Sequence, residues 1–161
     1  LGLTSEREQT RMVRQVSLLA FLVEDSLTIR KNLVPAMEDM ADVQVVGVAG
    51  SEREAAAWLE EHAGQWQLAV IDLFLSEGSG LGVVRECRRR RPNQRVVVLT
   101  NYATDDMRRR CLAAGADVVF DKSTELEAFF AYCLEAPQQE VASVPAQATD
   151  GLLKARDLIQ Y

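Results

Sequence analysis

The sequence predicts an α/β domain in which a doubly wound, parallel, five-stranded sheet is flanked by five helices. Three observations carry that expectation. Short apolar runs recur at near-regular spacing along the chain. None shows the apolar/polar alternation of a strand with one wet face, so each reads as buried on both sides, as in a parallel sheet. The stretches between them have helical spacing and carry helix start and stop signals.

The first strand is expected at "LLAFLV" (18–23), and a helix over 26–39 follows it. Ser26 is its N-cap, and Leu27, Ile29, Leu33, Val34 and Met37 fall near helical spacing. "VQVVGVA" (43–49) is the second strand. The helix after it, 51–62, opens on "SERE", a capping box, and closes before Gly64. "LAVI" (68–71) is the third strand, and its helix, 79–90, follows a Ser/Gly-rich loop and stops before Pro92. "RVVVLT" (95–100) is the fourth, with a helix over 104–113 that ends at Gly115. "DVVF" (117–120) is the fifth, with a helix over 123–135 opening on "STELE" and stopping before Pro137.

These elements occupy residues 16–136, the expected domain. Residues 1–15 read as a polar, helical N-terminal extension. Residues 137–161 read as a linker followed by a short amphipathic helix, with Leu152, Ala155, Leu158 and Ile159 on one side. The chain has 161 residues, 48% of them hydrophobic, which suffices for one core. Its formal net charge of −6 gives no general pull towards nucleic acid or an anionic membrane surface. No apolar run reaches the roughly 18–20 residues of a membrane span. The three cysteines, Cys87, Cys111 and Cys133, are widely spaced and form no CxxC, which suits reduced, packed thiols and a cytoplasmic protein. The single histidine, His62, sits at a helix end, where a surface or capping role is expected.

In open α/β sheets ligands bind beyond the carboxyl ends of the strands. Glu24 and Asp25 follow the first strand, Asp72 the third, Thr100 ends the fourth, and Lys122 follows the fifth. Three carboxylates brought together repel one another and call for a cation, and hard oxygen ligands favour Mg²⁺. Such a site leaves room for a phosphate oxygen, to which Thr100 can donate a hydrogen bond and Lys122 a positive charge. Asp72, in the centre, can act as a nucleophile and form an aspartyl phosphate. Taken singly each residue has an ordinary reading: Asp72 as a turn cap, Thr100 as a strand residue, Lys122 and the Glu24–Asp25 pair as solvated charges. The whole set in its proper slots is what points to phosphoryl chemistry.

With "LVEDS", "VIDLFLSEGSG", "VVVLTNYAT" and "GADVVFDKS" in place, residues 17–135 resemble a receiver domain of two-component response regulators, similar to the single-domain chemotaxis regulators. The resemblance implies a flavodoxin-like sheet in the order 2-1-3-4-5 and Asp72 as phosphoacceptor. It implies Mg²⁺ held directly by Asp25, Asp72 and the backbone carbonyl of Phe74, with Glu24 helping through water. It implies a phosphoryl donor that is a sensor histidine kinase, a phosphotransfer protein or a small acyl phosphate. The domain would catalyse its own phosphorylation and slow autodephosphorylation without being an independent enzyme. Glu24 stands where Asp is more usual, and Ser123 where Pro is common. The aromatic switch residue of the family falls at Val119 here, with Phe120 beside it on the opposite face of the strand. Phe74 and Tyr102, two residues beyond Asp72 and Thr100, are bulky enough to shield an acyl phosphate.

The resemblance places the responsive surface at about 104–135, where a partner or a second copy would bind. "RECRRRRP" and "MRRR" hold eight of the eighteen Lys and Arg and read as a solvated face or a docking patch for an acidic partner; the chain shows no helix-turn-helix signature for direct nucleic-acid binding. Other readings are a receiver cut from a larger, DNA-binding regulator and a receiver-like module that is never phosphorylated. An aspartyl phosphatase of the haloacid dehalogenase type is disfavoured, because it wants an acid where Phe74 stands.

Overall fold

The computed structural model describes residues 17–135. The expected extension over 1–15 and the linker and helix over 137–161 lie outside them. Strands β1 (Leu18–Val23), β2 (Val43–Ala49), β3 (Leu68–Ile71), β4 (Arg95–Thr100) and β5 (Val118–Asp121) form one parallel sheet in the order β2-β1-β3-β4-β5. They alternate with α1 (Leu27–Met40), α2 (Glu52–Glu61), α3 (Gly80–Glu86), α4 (Asp105–Ala114) and α5 (Leu126–Glu135). This is the flavodoxin-like architecture that the sequence predicts.

The sheet is lined on both faces because neighbouring side chains of a strand point opposite ways. Phe21, Ala69, Ile71, Val96, Val98 and Val119 face α2, α3 and α4, where Ala55, Val83, Val84 and Cys111 meet them. Ala20, Leu22, Val70, Val97, Leu99 and Phe120 face α1 and α5, against Leu33, Met37, Phe129, Phe130 and Cys133. Each large side chain so buried contributes about 1.5–3 kcal/mol. The three thiols are all buried, and desolvation pushes those of Cys87 and Cys133 up to about 12.

Several expectations need correction. Strand β2, at one edge of the sheet, is not buried on both faces: Gln44, Val46 and Val48 are exposed. Its register also slips. Ala20 pairs with Val45 and Phe21 with Gly47, which leaves Val46 as an extra, bulged residue. At Gly47 the strand lies against Trp58, where any Cβ would meet the indole at 2.4 Å. Trp58 stacks in turn on Phe21 and on His62, with ring centroids 4.1 and 4.3 Å apart. His62 is the C-cap of α2, with Nδ1 2.9 Å from the Trp58 carbonyl oxygen, as its position suggests.

The third helix is shorter than 79–90: α3 ends at Glu86 and continues as a 3₁₀ turn over Cys87–Arg89. The fifth strand starts one residue late because Asp117 is spent elsewhere, accepting from the Val96 N–H (2.7 Å) and pairing with Arg90 (3.1 Å). The fifth helix starts at Leu126, not 123, because the Asp121 carboxylate accepts from the Ser123 and Thr124 N–H groups in a turn of its own. Ser26, Ser51 and Thr104 cap α1, α2 and α4 through their hydroxyl oxygens. The capping box at Ser51 is modified: the Glu54 carboxylate reaches the Gly50 N–H instead of that of Ser51.

The arginine runs are only partly a solvated face. Arg88 donates to the carbonyls of Ala113 and Ala114 (both 2.8 Å), and Arg90 to those of Gly115 (2.7 Å) and Cys87 (3.0 Å). They satisfy the end of α4 and tie it to α3.

Candidate functional site

Parallel pairing brings the carboxyl ends of β1, β3, β4 and β5 side by side, so the residues just after them share one end of the sheet. The ladder runs on past β1: the Glu24 N–H donates to the Ala49 carbonyl (2.9 Å), and the Asp72 N–H to the Val23 carbonyl (3.0 Å). After β5, the Lys122 N–H donates to the Thr100 carbonyl (2.9 Å). Backbone bonds thus fix the origins of these side chains before any side-chain contact is made.

Glu24, Asp25 and Asp72 each offer a carboxylate oxygen, and the three lie within 4.8 Å of one another. Glu24 is 1% exposed. One of its oxygens accepts from the Ser26 N–H (3.1 Å) and the other from Lys122 Nζ (2.5 Å). Lys122 Nζ also pairs with Asp72 Oδ2 at 3.1 Å, so a single ammonium bridges two acids. Desolvation raises the Asp72 carboxyl above its ordinary range, the charge and hydrogen bond of Lys122 offset part of that, and Glu24 adds to it. Asp25 sits at the rim. The Ser76 hydroxyl donates to its Oδ2, as does the Ser76 N–H (2.8 Å), and these bonds hold its carboxyl below the usual range.

The loop after β3 is held tightly beneath Asp72. The Gly80 N–H donates to the Leu73 carbonyl (2.9 Å), and a Cβ on Gly80 would lie 1.9 Å from the Asp72 carbonyl oxygen. Only glycine lets α3 start this close to the Asp72 peptide. Phe74 bridges to Ser79 across the loop, and its ring meets that of Tyr102 edge-on, centroids 4.5 Å apart. Both rings are about half exposed, at 51% and 58%. Thr100 is fully buried, and its Oγ1 accepts from the Tyr102 N–H (3.2 Å).

The structure therefore brings together Glu24, Asp25, Asp72 and Lys122, and sets Phe74 against Tyr102. Val119 and Phe120, singled out for the switch, are not part of this cluster. Val119 packs with the α2–α4 core, and Phe120 lies in the opposite core, edge-on to Phe129 and Tyr132 at 6.0 and 5.8 Å.

The contacts of four residues escaped the sequence reading, which took Arg108 only as part of a solvated or docking arginine run. Ser76 braces Asp25. Arg30 Nε donates to the Glu24 carbonyl (2.5 Å), and Glu52 accepts from the Ser79 N–H (2.7 Å). Arg108 donates to Ala103, Val119 and Glu125 together. Their partners are distant in sequence or belong to the backbone, so no local spacing announces them.

The donor set is all hard oxygen around a deep negative charge, which fits Mg²⁺. Glu24, Asp25 and Asp72 are the residues among those described whose carboxylates lie close enough together to hold it.

A family model described as the response regulator receiver domain matches residues 20–133. The DNA-binding transcriptional activator DevR/DosR of Mycobacterium tuberculosis is 35% identical over 96 residues, which are 60% of this chain and 43% of that protein. The photosynthetic apparatus regulatory protein RegA of Cereibacter sphaeroides is 41% identical over 81 residues, 50% of this chain and 42% of the relative. The match thus spans less than half the length of either relative. Among solved structures, the response regulator domain of Thermotoga maritima CheB superposes with a TM-score of 0.63 at 19% identity, covering 80% of this chain and 99% of that one.

Proposed function

The chain belongs to the response regulator receiver domain family, and from that premise we propose that it is a phosphorylation switch whose acceptor is Asp72. The observation that carries the reading is the bridge from Lys122 to both Glu24 and Asp72, within a cluster of three carboxylates. The donor is a phosphohistidine on a sensor histidine kinase or phosphotransfer protein. A carboxylate oxygen of Asp72 attacks phosphorus, the phosphorus–nitrogen bond breaks, and the electron pair leaves with the imidazole, which takes up a proton.

Asp25, Asp72, the Phe74 carbonyl and Glu24 through water are the ligands proposed for Mg²⁺, which supplies neutralisation of the charge that builds on the phosphoryl oxygens. Lys122 supplies a second positive charge from the other side. Thr100 donates its hydroxyl to a phosphoryl oxygen. Phe74 and Tyr102 cover the acyl phosphate and slow its hydrolysis.

The domain is proposed to run over 16–136, with 1–15 as an extension and 137–161 as linker and amphipathic helix. No helix among the described residues is long and apolar enough to cross a membrane, and a cytoplasmic location with no membrane partner suits the acidic chain. The output is proposed to run through the surface of α4, β5 and α5, by binding a partner or by dimerisation. A second reading, that the chain is the receiver of a larger DNA-binding regulator, is favoured by the partial coverage of DevR/DosR.

The test is intact-mass analysis after incubation with acetyl phosphate and Mg²⁺. One added phosphoryl group in the parent and none in Asp72→Asn is the expected result. No uptake by the parent, from acetyl phosphate or from a phosphorylated sensor kinase, overturns the reading.

A further inference from the structure

Arg108, on α4, donates to three separate segments. Its Nε binds the Ala103 carbonyl (3.0 Å) in the loop after β4, its Nη1 the Val119 carbonyl (2.9 Å) in β5, and its Nη2 Glu125 Oε1 (2.6 Å) just before α5. Glu125 Oε1 accepts in addition from the Asp121 N–H (2.9 Å). One planar cation therefore cross-links a loop, a strand and the start of a helix, a task for the fork of an arginine rather than the point charge of a lysine.

The loop it holds is short and begins at the site. Thr100 ends β4, and Ala103 lies three residues on. The Thr100 hydroxyl oxygen is engaged by the Tyr102 N–H of the same loop. Turning that side chain towards a phosphoryl group on Asp72 would withdraw Oγ1 from Tyr102 and shift the segment that presents the Ala103 carbonyl to Arg108. The side chains of β5 are poorly placed to relay such a movement. Val119 and Phe120 are packed in opposite cores, whereas the Val119 carbonyl is already tied to the guanidinium.

We infer that Arg108 is the positioning residue that couples the Asp72 site to the α4–β5–α5 surface, a latch that holds the Thr100–Ala103 loop at rest until phosphorylation releases it. The inference rests on the reading of Asp72 as acceptor. A latch that stabilises the resting state opposes phosphoryl uptake, so loosening it speeds uptake. Glu125 is half of the device: donation from Arg108 holds its carboxyl below the usual range. Both side chains are about one-third exposed, so the contact is weak enough to be broken during signalling.

The experiment measures the rate of phosphoryl uptake from acetyl phosphate with Mg²⁺ in the full chain, together with the urea midpoint. The variants are Arg108→Ala, Arg108→Lys, Glu125→Gln and the double variant Arg108→Ala/Glu125→Gln. The latch raises the uptake rate about three- to tenfold in Arg108→Ala and Glu125→Gln, with no further gain in the double variant. Arg108→Lys behaves like Arg108→Ala, because one ammonium cannot span the three acceptors. Folded variants whose rate is unchanged or lower, whatever their urea midpoint, overturn the latch and leave Arg108 a structural brace. If Arg108→Ala fails to fold, Glu125→Gln decides by the same criterion. A parent that takes up no phosphoryl group overturns the acceptor reading itself, a result distinct from equal rates across the set.

Discussion

Adding one methyl group at Gly80 separates the two ways a glycine can matter here. The Cβ of Gly80→Ala would sit 1.9 Å from the Asp72 carbonyl oxygen and 2.6 Å from Leu73 Cα. Non-bonded C···O contacts close to about 3.3 Å, so the peptide after Asp72 must retreat by more than about 1 Å. Overpacking of that kind costs about 1–3 kcal/mol and the strained Gly80–Leu73 hydrogen bond about 1 kcal/mol, against which the better helix propensity of alanine returns up to about 1 kcal/mol. The net loss is about 2 kcal/mol, or roughly 4–8 °C in Tm for a chain of this length. The matched control is Gly82→Ala, whose Cβ has the carboxylate of Glu52 as its nearest neighbour, at 2.6 Å, the far end of a flexible side chain. Loss of the Glu52 bond to Ser79 is offset by helix propensity, so stability stays within about 0.5 kcal/mol. The displaced peptide after Asp72 also moves the Asp72 carboxylate, the proposed acceptor, and a misplacement of about 1 Å costs on the order of 10²-fold in rate. Thermal unfolding and phosphoryl uptake, read on both variants, give the answer. Gly80→Ala with the stability and uptake of the parent would refute the packing argument outright.

In the absence of Mg²⁺, Asp72→Asn is expected to raise the urea midpoint at neutral pH. The folded state raises the Asp72 carboxyl, so this group favours folding only when protonated, and that contribution is lost as pH rises through its folded-state value. The gain should therefore shrink on acidification, and a variant less stable than the parent at pH 7 contradicts it. Mg²⁺ at 100 times its Kd should stabilise the parent by about 2.7 kcal/mol and leave Asp25→Asn largely unmoved, read as a Tm shift. Equal shifts in both proteins would remove Asp25 from the ligand set. Phe74→Asn opens the aromatic cover over the site and is expected to lose its phosphoryl group faster than the parent; a half-life equal to the parent's would show that the Phe74–Tyr102 pair does not shield.

Four strands could be read to the residue because each is an unbroken run of Val, Leu, Ile and their like, which periodicity and length alone assign. Burial was another matter. "VQVVGVA" looks as apolar as the others, yet Val46 and Val48 meet solvent, whereas Val119 and Phe120 on the other edge strand are buried in opposite cores. Which faces the helices cover is a property of the packing, not of the run. Helix starts followed local chemistry where the capping hydroxyl had no rival, as at Ser26 and Thr104. They failed at Ser123, where Asp121 had already claimed the free N–H groups. The carboxylates and Lys122 were legible because strand ends in a parallel sheet converge. Ser76 and Arg108 were not, since their bonds to Asp25 and to Val119 and Glu125 depend on how loops and helices come to rest on that sheet.

The slipped register of β2 has a bearing on how this domain behaves in company. A free strand edge offers a row of unpaired amides and carbonyls, and exposed Val46 and Val48 would make it an adhesive template for a strand from another molecule. The extra residue at Val46 breaks the even spacing that such a template needs. An incoming strand could match the rungs on one side of the bulge or the other, but not both at once. The same irregularity turns Gly47 towards Trp58, so straightening the edge would cost the packing beneath it. Edge-to-edge pairing through β2 is thus opposed by the bulge, and the Glu38 carboxylate already accepts from the Val45 N–H of that strand (3.3 Å).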